Sequence, residues 1–227
     1  MAEPNPKELF DLGVKSIEAR DYIQAKKYFE KACDLKYGGG CGALGDLYDD
    51  GKGVEKNSIK ATQLYTKACE LKEGLGCKRL WSLYYYGRGV EKNLTKATQF
   101  YSKACELEDG GGCATLGMLY EDGQGVGENL TKATQFYSKA CDLNNGGGCF
   151  RLGVLYEYGQ GVEKNLTKAA QYASKACDLN NGSGCGNLGV LYQNGQGVEK
   201  DLTKADQYIS KACKLGDQEA CEALKEK

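Results

Sequence analysis

The chain has 227 residues, 30 of them Lys or Arg and 31 Asp or Glu, so its formal charge is −1, and it contains no histidine. That balance, with no basic block, excludes a sequence-independent hold on nucleic acid, which needs clustered Lys and Arg. No stretch is long and apolar enough to span a membrane.

The N-terminal Met1-Ala2-Glu3-Pro4-Asn5-Pro6 has neither the basic start nor the apolar core of a signal peptide. A first, shorter repeat follows over residues 5–40. Leu12 and Gly13 match Leu44 and Gly45 at an offset of 32, whereas Ala25 and Ala32 match Ala61 and Ala68 at 36, so its internal loop is four residues shorter. Asp21 to Phe29 reads like a tetratricopeptide second helix. From Cys41 the chain repeats without a gap every 36 residues, at Cys77, Cys113, Cys149 and Cys185, with a remnant of a capping helix over residues 221–227. A fixed period of this size marks a solenoid, in which each unit covers its neighbour's apolar face.

Each full repeat, over residues 41–220, predicts two helices. Leu44, Leu47 and Tyr48, with Leu116, Leu119 and Tyr120 as equivalents, form the stripe of a first helix. A G-x-G-V connection follows, as at Gly51/Gly53, Gly87/Gly89 and Gly123/Gly125. Asn57, Asn93, Asn129, Asn165 and Asp201 are placed to cap the second helix. Three of them open formal Asn-Leu-Thr glycosylation sequons, which recurrent capping explains more simply. The second helix buries Ala97, Phe100, Tyr101, Ala104 and Leu107 on one face and is expected to stop at Gly110-Gly111-Gly112 or the matching glycines. The predicted fold is all-α, an α/α solenoid of TPR-like helix pairs, single over residues 1–227.

These frames, L-G-x-L-Y, G-x-G-V, K-A-x-x-Y-x-K-A-C and C-x7-C, run from about Leu9 to Cys221. On them the chain resembles Sel1-like repeat proteins, and specifically the Helicobacter cysteine-rich protein family. The resemblance implies a secreted protein recognised by a host, or a penicillin-binding protein with weak β-lactamase activity. The residues add little to the second implication. A serine β-lactamase needs S-x-x-K, S-D-N and K-T-G, and none occurs. A metallo-enzyme needs ligands that a histidine-free chain hardly offers. No catalytic residue is assigned, and no cofactor and no metal are expected.

Twelve cysteines form six pairs eight residues apart: Cys33/Cys41, Cys69/Cys77, Cys105/Cys113, Cys141/Cys149, Cys177/Cys185 and Cys213/Cys221. In one continuous helix such a pair would lie about 12 Å apart along the axis, beyond a disulfide's reach. A helix break between them lets the end of one second helix meet the start of the next first helix, and each bridge then staples one repeat to the next. Zinc sites want closer spacing, so the alternatives to disulfides are reduced buried thiols and, more remotely, metal. Disulfides place the chain in an oxidising compartment, periplasmic or secreted, as a mature form.

Function is expected where packing leaves the repeats free to differ. On the first helices the varying positions include Asp46, Arg79, Ser82, Tyr85, Tyr86, Met118, Glu121, Phe150, Arg151, Glu157, Tyr158 and Asn187, on one broad helical face. If first helices line a concave surface, as in tetratricopeptide arrays, this face is a groove; otherwise it is an ordinary solvated face. Trp81 stands where other repeats have Gly45, Gly117, Gly153 and Gly189, either as a binding anchor or as filling between helices. The candidate ligand-binding groove is Arg79, Trp81, Ser82, Tyr85, Tyr86, Met118, Phe150, Arg151 and Tyr158, since aromatic and arginine clusters anchor binding surfaces. The expected partner is a protein or peptide, or a β-lactam or peptidoglycan-like small molecule, bound by a monomer.

Overall fold

The structure, a computed structural model, describes residues 5–225. The readings made on Met1–Pro4 and on the last two residues lie outside the described part. Among the described residues there are 13 α-helices and no strand. Helices α1 (Pro6–Glu18) and α2 (Tyr22–Asp34) make the short first repeat. Full repeats pair α3 (Gly38–Asp50) with α4 (Ser58–Glu70), α5 (Gly74–Tyr86) with α6 (Leu94–Glu106), and α7 (Gly110–Asp122) with α8 (Leu130–Asp142). They continue with α9 (Gly146–Tyr158) and α10 (Leu166–Asp178), then α11 (Gly182–Asn194) and α12 (Leu202–Lys214), and α13 (Gln218–Lys225) follows. The helices group into two compact units, Met1–Glu108 and Asp109–Lys227.

The second helices start where the sequence predicts. The side-chain oxygens of Asn57, Asn93, Asn129, Asn165 and Asp201 accept from the backbone N–H three residues on, at 2.8–2.9 Å. They end differently from the expectation. The turn that stops α4 is made by Lys72 in the left-handed region (φ 64°), and Lys36, Glu108, Asn144 and Asn180 do the same elsewhere. At α4 the Lys72 N–H donates to Cys69 O and the Glu73 N–H to Ala68 O, a paired closure of the last turn. The glycines that follow do not stop a helix; they open the next one. Their role is close approach. A Cβ on Gly76 would sit 2.6 Å from Ala68 Cβ, and one on Gly148 would sit 2.5 Å from Ala140 Cβ. Consecutive helices therefore cross backbone against backbone at these points.

That crossing is where the disulfides lie. Cys33–Cys41, Cys69–Cys77, Cys141–Cys149, Cys177–Cys185 and Cys213–Cys221 join each second helix to the following first helix, with Cα–Cα separations of 4.5–4.7 Å. Cys105 and Cys113 are disulfide-bonded as well, and no described cysteine is free. In the chain-entropy account a ring this short contributes about 2.5 kcal/mol.

The G-x-G-V connection clamps the array in a second way. Gly53 (φ 66°) lies so close to α2 that a Cβ would meet Tyr22 Cβ at 2.6 Å, and Gly89 lies equally close to Ser58 at the start of α4. The four extra residues, absent between α1 and α2, thus reach back over the preceding repeat. In the first unit the core is built from Phe29, Leu44, Leu47, Tyr65, Leu80 and Leu83. In the second, Tyr137, Leu152 and Leu155 form one cluster, and Leu188 and Leu191 pack with Ala170 and Ala173 in another. Between paired helices Tyr84 stacks on Phe100, Tyr120 on Phe136, Tyr156 on Tyr172 and Tyr192 on Tyr208, at 5.4–5.6 Å. A lysine ammonium lies over each of these first-helix tyrosines.

Candidate polar and aromatic faces on the first helices

Three first-helix glycines of the L-G-x-L-Y frame, Gly45, Gly117 and Gly189, receive a side chain from the partner helix, whereas Gly153 meets the backbone of Ala169 and Ala173. A Cβ on Gly45 would lie 2.6 Å from the Tyr65 ring, and one on Gly117 would lie 2.7 Å from the Tyr137 ring. The ring passes over the glycine and brings its hydroxyl out onto the varying face. There the Tyr65 phenol donates to Asp46 at 2.7 Å, and the Tyr137 phenol donates to Glu121 at 2.5 Å. Burial, and then the neighbouring carboxylate, hold both phenols well above the usual tyrosine range.

The next repeat supplies a cation to the same acids. Arg79 Nε lies 2.9 Å from Asp46, and an Arg151 guanidinium nitrogen lies 3.7 Å from Glu121. Both arginines were read from the sequence as candidate ligand contacts. Each is held by an acid of the preceding repeat while its side chain stays about half exposed.

Trp81 changes this arrangement in its own repeat. Its indole stacks on Tyr85 at 4.8 Å, packs against Tyr101 of α6 at 4.8 Å, and meets the edge of Tyr86 at 6.1 Å. Tyr101 is the ring that the glycine would otherwise admit. Trp81 is half-buried and Tyr86 is 63% exposed. Arg88 lies over the Tyr86 ring, and Lys92 lies over Tyr85. The indole N–H is buried and has no hydrogen-bond partner. Three of the candidates, Trp81, Tyr85 and Tyr86, thus form one aromatic platform. The Ser82 hydroxyl accepts from Arg88 at 2.9 Å, and a guanidinium, which does not give up a proton in proteins, is no base for it.

In the second unit Phe150 and Tyr158 share a cavity of about 920 Å³ with Glu157, Asn187 and Asp217. Met118 is 39% exposed on α7. Asp217 and Glu219 were missed by sequence reasoning, because they lie at the turn into α13, whereas the varying face was sought on the first helices of the full repeats. Among the described residues no group of His, Cys, Asp and Glu is arranged to hold a metal, and no helix is long and apolar enough to cross a membrane.

The Sel1 repeat model matches the chain in six segments, residues 9–37, 40–73, 74–109, 112–145, 147–181 and 183–217. Among curated proteins, HcpC of Helicobacter pylori (strain J99) is 63% identical over 60 residues, 26% of this chain and 21% of that protein. Beta-lactamase HcpA of the same strain is 55% identical over 60 residues, 26% of this chain and 24% of that one. The chain thus spans about a fifth to a quarter of the length of the curated relatives it matches. Among solved structures, the protective antigen c5321 of uropathogenic Escherichia coli, with an SLR fold, aligns at a TM-score of 0.86 and 28% identity, over 95% of this chain and 47% of that one. Matched repeat by repeat over most of its length, the chain belongs to the Sel1 repeat family.

Proposed function

We propose that the chain is a disulfide-stapled module that binds protein or peptide segments on the exposed faces of its first helices, as a monomer. The observation that carries this reading is the platform of Trp81, Tyr85 and Tyr86, with cationic Arg88 and Lys92 at its edge. An exposed ring, Tyr86, backed by the half-buried Trp81 and Tyr85 on a rigid scaffold presents apolar area at low entropic cost. Disulfides at the repeat junctions suit an oxidising compartment, which supports a secreted or periplasmic module acting on the envelope or on a host. Hydrolysis of a β-lactam is the second reading, brought by the name of HcpA. It would need an activated nucleophile other than Ser82, whose neighbour Arg88 cannot act as a base.

The test is to pan a displayed library of random dodecapeptides against the oxidised protein. Selected peptides are then measured on the native chain and on a Trp81→Ala/Arg79→Ala variant, with the helical circular dichroism of both recorded. The expected result is a set of binders weakened at least tenfold by the double substitution while helicity is kept. A library without binders would overturn the module reading, and binders indifferent to the substitution would overturn the assignment of this platform.

A further inference from the structure

The repeats of this chain show what one of its own acids lacks. In the second unit Glu121 of α7 is satisfied twice, by the Tyr137 phenol of its own repeat and by the Arg151 guanidinium of the next. In the first unit Asp46, one turn earlier on its helix, is satisfied the same way by Tyr65 and Arg79. Moving Glu121, Tyr137 and Arg151 forward by 36 residues gives Glu157, Ala173 and Asn187. The acid is retained, but the phenol and the guanidinium are both gone.

Asn187 Nδ2 donates to Glu157 at 2.9 Å, a neutral amide in the place of a cation. Glu157 opens onto the cavity of about 920 Å³ whose charged lining residues are Glu157, Asp217 and Glu219, with no Lys or Arg among the residues that line it. Part of Asp217 is occupied, since it accepts from the Ala220 N–H at the start of α13. Beside the acid stand two rings, Phe150, half-buried, and Tyr158, which is 66% exposed. A carboxylate sharing a cavity with aromatic rings, one of them exposed, is the setting that suits a guanidinium, which binds carboxylates through a planar fork and stacks on rings.

We propose that this cavity takes the guanidinium of an arginine side chain on a bound peptide, which supplies in trans to Glu157 what Arg79 and Arg151 supply in cis to Asp46 and Glu121. The inference rests on the peptide-binding reading and names the side chain that this part of the face selects. An arginine is preferred to a lysine because the ammonium lacks both the fork and the flat face.

Three fluorescein-labelled, end-capped decapeptides test it, alike in a Gly-Ser background and carrying at two central positions arginine, lysine or the uncharged isostere citrulline. Anisotropy titrations at low salt are expected to show the arginine peptide binding at least tenfold tighter than the citrulline peptide and several-fold tighter than the lysine peptide. Glu157→Gln should abolish that preference. Asn187→Arg should abolish it too, by restoring the guanidinium within the chain, and circular dichroism should show the variant folded. Equal binding of the arginine and citrulline peptides, or a preference that survives Asn187→Arg, would overturn the arginine site while leaving library-selected binders to support the module. An absence of binders in the library together with equal binding here would overturn both.

Discussion

At the scale of single residues, the varying face is organised by acids and by what neutralises them. Tyr137 is the clearest case, a ring buried over Gly117 with its hydroxyl on Glu121. Burial first, and the carboxylate second, keep this phenol and that of Tyr65 protonated beyond the usual range. A group whose folded pKa is raised above its unfolded value contributes stability fully below the unfolded value, about 10 for tyrosine. That contribution is lost as pH rises through the folded value. The thermal midpoint of the native chain should therefore fall more steeply above about pH 10 than that of a Tyr65→Phe/Tyr137→Phe variant. Parallel falls in melts of the two across the alkaline range would remove these phenols from the account. The arginines paired with these acids were visible in the sequence as candidates, but their engagement was not. Arg151 and Glu121 are separated by 30 residues, and only the packing of successive first helices makes them neighbours.

At the scale of the helix, the surprise is which residues do the turning. The sequence places two or three glycines between the cysteines of five of the six pairs, and the plain reading is that they end the helix. Instead Lys36 and Lys72, both exposed, take the left-handed conformation, and the glycines are spent on contact between crossing helices. A left-handed L-residue costs about 1–2 kcal/mol, against about 0.5–1 kcal/mol of chain entropy for glycine. Lys36→Gly and Lys72→Gly should thus each stabilise the fold by about 0.5–1 kcal/mol in urea unfolding. Gly76→Ala, whose methyl would press on Ala68 Cβ, should cost about 1–3 kcal/mol. Destabilisation by the lysine replacements would show that those turns are not strained. The reason the sequence misled here is that glycine serves both purposes, and composition alone does not say which.

At the scale of the whole chain, repetition made the architecture legible. Positions that recur every 36 residues, such as Leu44, Leu80, Leu116, Leu152 and Leu188, are the buried ones, so the sequence displays its own alignment. The caps and disulfide partners followed by the same logic. The residues of the proposed binding face did not, because positions that packing leaves free differ from repeat to repeat. The cavity around Glu157 was hidden for a further reason: it is also lined by Asp217 and Glu219, at the turn into α13 and outside the first-helix face that was searched. Reduction tests the whole array. With about 2.5 kcal/mol per bridge, and about 2–4 °C per kcal/mol for a chain of this size, loss of even two bridges should lower the melting temperature by about 10–20 °C. A melt unchanged by dithiothreitol would show that packing alone holds the repeats. The bridges have one more consequence, which concerns connectivity rather than stability. Each Cys–Cys pair closes a small macrocycle around the solvent-facing turn between helices, and Lys36 and Lys72 sit inside two of these rings. Hydrolysis of a peptide bond within such a ring opens it without severing the molecule, because the sulfur bridge carries the thread across the gap. The turns that look most open to a trypsin-like enzyme are thus the places where cleavage changes the topology least.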